Sequence, residues 1–477
     1  MAEPRIVILG GGPAGLGAAW QLARRGKAAV TLIERGAAFG GNAGSFEAFG
    51  QRLDYGSHRL HPATDAHIMA DIQALLGADL LDRPRHGRIR LLGKWIHFPL
   101  KPADLLLRLD KSFAFGSLRD AIAKKMPGAP PEGNTFASVL RANLGPTICE
   151  HFYFPYSVKL WGRAPDELSG IQARRRVSAG TFGKLVRKVM GAVPGLKKPG
   201  AGRFFYPRRG FGQISEAYAA DAARAGAQLR LSTSLQGLER SAAGTWRVSV
   251  MPAGAAPSAA SEVLEADQIW STIPITALAK ALVPSAPREV LDACEAVQFR
   301  AMILIYLQVP RARFTEFDAH YFPGADTRIT RLSEPKNYAA LAEPRDSTVL
   351  CAELPCNVGD EHWLMSDQQL GQLVERDLVN CAIPLPAAPK AVMTRRLAQA
   401  YPIYVNGYEE PLTKLDTWVG GLPDLISYGR QGLFAHDNTH HALFMAYSAV
   451  ECLDGMQFDR AKWARFREVF KTHVVED

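Results

Sequence analysis

The sequence predicts an α/β protein with α+β insertions, and three observations carry that prediction. Residues 5–9, RIVIL, form a short continuous apolar run that ends in glycines, the pattern of a buried parallel strand. Helical spacing follows through Leu16, Trp20, Leu22 and Ala23, and AVTLIE at 29–34 reads as a second strand, completing a βαβ opening. At 477 residues the chain exceeds one ordinary domain, so two or three are expected, with ample length for a sizeable core.

Further along, residues 214–228 read as helix, and LRLSTSLQGLE at 229–239 alternates like a strand. Residues 439–453 carry small and apolar residues at helical spacing. Three stretches rich in Pro, Gly or small polar residues, 126–135, 193–202 and 252–262, read as loops or linkers. The last lies between two strand-like runs and fits a hairpin loop. No internal repeat at a fixed period is visible.

Composition narrows the class. Apolar residues make up 47% and charged residues 22%, which excludes a disordered, collagenous or disulfide-stapled chain. The net charge of +9 fits nucleic acid, an acidic membrane surface or an anionic substrate, and does not choose among them. The six cysteines, at 149, 294, 351, 356, 381 and 452, form no CxxC pair and read as scattered buried thiols. No basic n-region with an h-region opens the chain, and the longest apolar run, 301–307, is too short to span a bilayer. A cytoplasmic protein is expected. No nucleic-acid recognition motif, metal-ligand spacing or GxSxG elbow is present, so neither a nucleic-acid partner nor a metal is expected.

The chemistry begins at Gly10, Gly12 and Gly15, a GxGxxG directly after a strand and at the start of a helix. The first glycine permits the tight turn, the second admits a pyrophosphate close to the backbone, and the third lets helix and sheet pack. Free N–H groups and the helix dipole then favour the anion. Glu34, with Arg35 beside it, ends the second strand 19 residues after Gly15, where a carboxylate can accept hydrogen bonds from a ribose diol. Together these predict a Rossmann-like dinucleotide site.

Gly40-Gly41-Asn42-Ala43-Gly44-Ser45 and the later DQIWSTIP at 267–274 make the chain resemble the flavin amine-oxidase clan, which implies FAD as cofactor and a discontinuous FAD-binding domain. Four blocks resemble UDP-galactopyranose mutases more closely: GGNA at 40–43 with Tyr55-Gly56-Ser57-His58-Arg59-Leu60-His61; PYSVKLWG at 155–162 with Pro165, Glu167 and Leu168; Thr330-Arg331 with Glu334, Lys336, Asn337 and Tyr338; and Gly429-Arg430. The mutase pattern carries a second arginine four residues after the first; here the first falls on Arg175 and the second on Ala179. The segment 205–231, containing YPRRGFG, is more similar to protoporphyrinogen-oxidase-like proteins. The domains expected from the resemblance are an FAD-binding domain from 1–100, 203–278 and 415–477, a mostly helical insertion at 101–202, and a substrate domain with an antiparallel sheet at 279–414.

The resemblance implies roles. Gly10, Gly12, Gly15, Glu34, Arg35, Gly41, Asn42, Gly56, Ser57, Gly429, Arg430 and Asn438 are the expected FAD contacts, Asp437 lying beside the last. His58 is placed at the flavin ring, where an imidazole donates to a carbonyl or stabilises a reduced anionic ring; the alternative is a histidine that satisfies a loop carbonyl. Arg331 is the expected anion fork, with Arg175 the second, the alternative for Arg174–Arg176 being a solvated basic helix face. Tyr401, with Tyr404, reads as substrate-facing or as ordinary strand tyrosine, and Trp161 as a stacking ring or core packing. Residues 181–200 have an apolar helical face accompanied by Lys184, Arg187, Lys188, Lys197 and Lys198; this reads either as a core helix or as a helix lying on an anionic membrane, peripheral at the inner face. The function implied is an FAD-dependent oxidoreductase that moves a hydride from a small anionic substrate, a nucleotide sugar or a lipid-linked molecule, to the flavin. The alternative is a redox-neutral mutase that uses reduced flavin as nucleophile on a sugar.

Overall fold

The computed structural model describes residues 3–98, 104, 108–124, 132–176, 202–256 and 261–475. Its centre is a five-stranded parallel sheet in the order Leu425–Ser427, Gln268–Ser271, Arg5–Leu9, Ala29–Ile33, Gln228–Arg230. One sheet therefore draws its strands from widely separated stretches of chain. RIVIL lies in the middle with four of its five residues buried, which is why it reads as an unbroken apolar run.

The helices Pro13–Arg24, Gln213–Arg224 and Thr439–Glu451 cover one face of this sheet and close a core around Trp20, Tyr218, Trp270 and Leu443. Gly17 lets the first helix approach the last, since a Cβ there would lie 2.9 Å from Leu443 Cδ2. A second core, on the other face, gathers Val7, Leu9, Trp246, Leu278 and Phe434. Beside it stands a four-stranded sheet, Glu262–Ala266, Trp246–Pro252, Thr233–Arg240 and Leu282–Val283. The strand expected over 229–239 is thus two strands in two sheets, parted at Ser232, whose φ is +49°. The loop at 252–262 joins antiparallel partners, as a hairpin should.

The remaining large sheet has seven strands, ordered Ala391–Ile403, Gln298–Val309, Thr348–Cys356, Arg331–Ser333, Ala319–Tyr321, Gly87–Leu91, Lys94–Phe98. Along Gln298–Val309, Met302, Leu304 and Tyr306 enter a core shared with the helical insertion, while Ala301, Ile303, Ile305 and Leu307 enter one closed by the helix Asp367–Asn380. The apolar run 301–307 is this two-sided strand. The insertion contributes Lys111–Ala123, Phe136–Leu144, Phe154–Trp161 and Gly170–Arg176.

Two expected boundaries move. Gly87–Leu91 and Lys94–Phe98 fall in the first 100 residues but pair into the seven-stranded sheet, because Ile89, Leu91 and Ile96 bury in the core beneath it. Leu282–Val283 and the helix Arg288–Ala296 stay with the nucleotide portion, since the strand pairs with Thr233–Arg240 and Val290, Ala293 and Cys294 pack in the same core as Val7 and Leu9. All six cysteines are buried and unpaired. Among the described residues no helix is long and apolar enough to cross a membrane. The basic amphipathic stretch at 181–200 lies outside the described residues.

Candidate active site

A cavity of about 860 Å³ opens at the C-terminal ends of the parallel strands and runs towards the seven-stranded sheet and the insertion. Gly10, Gly12, Glu34, Arg35, Gly41, Asn42, Ser57, His58, Arg331, Tyr401, Arg430 and Asn438 all line it. Gly15, Gly56, Gly429 and Arg175 do not, each for its own reason.

The glycine loop is built as a cradle. Gly15 sits under the loop, where a Cβ would collide with the Gly10 carbonyl oxygen, so helix and loop are in backbone contact. Gly12 is the opposite: a Cβ on it meets no protein atom within 4 Å and points into the cavity. The helix Pro13–Arg24 has no side-chain cap at its N-terminus, so its first amides face that space without a protein acceptor. Glu34 accepts from the Gly11 amide at 2.7 Å and the Gly36 amide at 2.6 Å. Its carboxylate is therefore locked at the loop edge. These features fit the diphosphate and ribose of FAD.

Beyond the cradle, His58 Nε2 donates to the Tyr55 carbonyl at 2.9 Å, which leaves Nδ1 as the lone-pair nitrogen of the neutral ring. Burial, partly opposed by Asp54, lowers its pKa and favours that neutral form. The ring lies against Phe211 of the YPRRGFG segment, centroids 5.4 Å apart. Asp54 ties this corner together, accepting from Ser45 Oγ at 2.5 Å, Tyr206 Oη at 2.6 Å and the Phe211 amide at 2.9 Å. Gly56 has φ +94° and would place a Cβ 3.2 Å from Glu353 Oε1, so this backbone crosses directly over that carboxylate.

Glu353 changes the reading of Arg331. It is the one charged residue in the buried strand Thr348–Cys356, and its Oε1 accepts from Arg331 Nε at 2.9 Å and from the Ser57 amide at 2.9 Å. Arg331 Nη2 lies 2.7 Å from the same oxygen. Arg331 thus lines the cavity as half of a buried ion pair, not as an open fork. The rest of its sequence block is stitching. Lys336 Nζ donates to the Ala312 carbonyl at 2.7 Å, Glu334 accepts from Thr348 Oγ1 at 2.8 Å, and Asn337 Nδ2 donates to the Phe317 carbonyl at 2.9 Å.

Arg176, Arg430 and Tyr401 form a basic and aromatic cluster in the cavity. Arg176, one residue beyond the expected position, lines the cavity with its guanidinium 5.3 Å from the centroids of both Tyr401 and Trp161. No carboxylate pairs with it among the described residues. Arg430 lies 5.0 Å from the Tyr401 ring, donates to the Ala400 carbonyl at 2.6 Å, and has a buried Nε without a partner. Arg175 points away over Tyr404, and its carbonyl accepts from the Val475 amide at 2.9 Å. Tyr404 is not substrate-facing either; it stacks on Tyr408 and donates to the Phe434 carbonyl at 2.8 Å. Trp161, 2% exposed, packs edge-on to Tyr401, so core packing is its role. On the same helix Tyr156 and Leu160 reach the cavity, whereas Lys159 Nζ donates to the Phe322 carbonyl at 2.7 Å and Thr327 Oγ1 at 2.9 Å; burial lowers it to about 8.

Asn438 caps the helix Thr439–Glu451 at the cavity wall, and Gly429 packs on Ala14 behind it. The fold also brings Asp437, His441 and His473 together, which no spacing in the sequence announces. Asp437 Oδ1 lies 3.5 Å from His441 Nδ1 and 3.3 Å from His473 Nδ1, the His441 and His473 rings stack nearly parallel at 4.2 Å, and His441 Nδ1 accepts from the Asn438 amide at 3.2 Å. Sequence reasoning missed Arg176, Glu353 and Asp54. A lone acid in an apolar strand was a usable signal for Glu353; nothing local separates Arg176 from Arg175.

The sequence matches the family model described as flavin containing amine oxidoreductase over residues 13–423. No curated protein matches it in sequence. Among solved structures, a reduced UDP-galactopyranose mutase superposes with a TM-score of 0.81 at 19% identity, over 99% of this chain and 100% of that one. A putative protoporphyrinogen oxidase from Exiguobacterium sp. 255-15 gives 0.70 at 22%, over 94% and 98%. A fatty acid isomerase from P. acnes that produces CLA gives 0.62 at 14%, also over 94% and 98%.

Proposed function

The chain belongs to the flavin-containing amine oxidoreductase family and is an FAD-dependent enzyme, and from that premise we propose that it is an oxidoreductase for a small anionic substrate bound between His58 and Arg176. The observation that carries this is the Arg176 guanidinium beside Tyr401, which no carboxylate pairs among the described residues, with the Arg430 guanidinium 5.0 Å from the same ring. A phosphate or carboxylate there gains charge-assisted hydrogen bonds in a low-dielectric site. Arg331, compensated by Glu353, contributes orientation more than net charge.

FAD, when bound, supplies a hydride acceptor, or an electron-rich centre once reduced. The protein supplies the rest. His58, held neutral through its bond to Tyr55, offers the Nδ1 lone pair on the cavity side. The Tyr401 hydroxyl is available to orient a substrate oxygen, and Leu160, Leu397 and Tyr156 exclude water along the wall. Anaerobic mixing of the oxidised yellow protein with anionic candidates, nucleotide sugars and lipid phosphates among them, tests the reading. Bleaching of the flavin absorbance by one of them is the expected result; failure of every class to bleach it counts against an oxidoreductase.

A redox-neutral isomerisation of a nucleotide sugar is the second reading. It is favoured by the full-length likeness to a reduced UDP-galactopyranose mutase and by the two guanidiniums within 5.3 Å of the Tyr401 ring centroid. Dithionite-reduced protein that converts UDP-galactopyranose to a furanose product, with no conversion by the oxidised form, establishes it in place of the first.

A further inference from the structure

The helix Lys111–Ala123 is anchored by one side only. Phe113 enters the insertion core, Gly116 rests against Thr147, and the buried Asp120 accepts from the Thr147 amide at 2.7 Å. On the opposite side Phe115 is 68% exposed, Leu118 36% and Ile122 55%. With the exposed Lys111 these stand at i, i+4, i+7 and i+11, a single stripe along the helix. The exposed Arg119 flanks the stripe. Three large apolar side chains aligned on one helical face, unpartnered among the described residues, are not the scattered singles of an ordinary surface.

The charge distribution identifies what covers them. Residues 101–202 contain seventeen lysines and arginines against seven aspartates and glutamates, a net +10, so the other 375 residues carry −1 between them. Within that segment, residues 108–124, which carry the stripe, expose Arg108, Lys111, Arg119 and Lys124 against one exposed carboxylate, Asp110. Two of its seven acids, Asp104 and Asp120, are buried and paired, with His97 and Arg108 and with Arg119 respectively, and do not oppose an incoming anion.

We propose that the Phe115–Leu118–Ile122 face of this helix docks the enzyme onto an anionic lipid bilayer, the apolar stripe entering the headgroup–acyl boundary while the basic insertion is drawn to the surface charge. The helix is too short to span and lies in the plane of the interface. The surface is separate from the substrate cavity, and the proposal does not depend on which reaction the cavity supports.

Sedimentation with vesicles tests it. The full-length, FAD-loaded protein is mixed with phosphatidylcholine vesicles with and without phosphatidylglycerol. Binding to the anionic vesicles alone is expected, weakening as salt is raised. The triple variant Phe115→Ser, Leu118→Ser, Ile122→Ser should bind about tenfold or more weakly. Because these side chains are exposed, its melting temperature and FAD content should equal the parent's. Lys111→Glu or Arg119→Glu should each weaken binding about fivefold. An intact protein that ignores anionic vesicles overturns the proposal. So does a triple variant that binds like the parent, which would move the contact to another segment such as 181–200. A triple variant that turns a dimer into a monomer in sedimentation velocity also overturns it, by making the face a contact between copies of the chain.

Discussion

Arg331 donates to a buried carboxylate, so an anion entering the cavity meets a neutralised pair there and, at Arg176, a cation that no carboxylate pairs among the described residues. The two arginines are chemically identical, and the difference lies in Glu353, 22 residues from Arg331 in the chain and beside it in the sheet. The same logic separates Arg175 from Arg176: consecutive residues on one helix point about 100° apart, and only the second reaches the cavity. Arg176→Ala should weaken binding of the anionic substrate or product about 100-fold, in keeping with loss of a charge-assisted hydrogen bond of about 1.5–3 kcal/mol, while FAD content is retained. Arg175→Ala should change that affinity less than threefold. Equal effects of the two substitutions, measured by flavin fluorescence titration, would remove Arg176 from the role proposed for it.

At the scale of elements, the glycine loop and its helix are the most legible part of the chain, because their constraint is local. A strand, three glycines, a helix and an acidic strand end specify a cradle whose geometry is set by neighbouring residues. Gly15→Ala tests this. Its methyl would overlap the Gly10 carbonyl oxygen, a backbone atom that can only move by opening the loop. Destabilisation of about 1–3 kcal/mol is expected, with the protein purifying largely free of FAD; a stable, fully yellow variant would contradict the backbone contact. The sequence block at 155–162 was legible as a block but not by role. The helix Phe154–Trp161 sends Tyr156 and Leu160 to the cavity, Trp161 to the core and Lys159 to three oxygens of a neighbouring loop. A helix divides its residues among several environments, and its own sequence does not say what lies on each side.

For the whole molecule, several histidines are buried in their neutral form, and this couples stability to pH. Burial, helped by Arg88, lowers His320 to about 3; burial, helped by His61 and His473, lowers His440 to about 4. Unfolded, both titrate near 6.5. Their neutral burial is therefore fully favourable above about pH 6.5, and below it the unfolded chain binds protons that the folded one refuses. Each such histidine adds about 1.4 kcal/mol per pH unit to the loss of stability until its folded pKa is reached. The melting temperature of the holoprotein should be level from about pH 7 to 8 and fall steadily below about pH 6. His320→Gln and His440→Gln, measured by scanning calorimetry, should each flatten that slope; an unchanged slope in both would show that other groups govern acid sensitivity.

The sequence alone determined the α/β class, the dinucleotide cradle and the membership of the flavin-binding clan, because each rests on residues close in the chain whose hydrogen bonds and packing are mutual. Twelve of the site residues it singled out, from Gly10 to Asn438, line one cavity. The tertiary structure decided what those residues meet. It put Gly87–Leu91 and Lys94–Phe98 into the seven-stranded sheet, gave Arg331 a partner in Glu353, brought Arg176 and not Arg175 to the cavity, and left Phe115, Leu118 and Ile122 with no covering layer among the described residues. Those outcomes depend on contacts between segments dozens to hundreds of residues apart. They follow from which hydrophobic faces find each other when the chain packs, information that no single window of sequence holds.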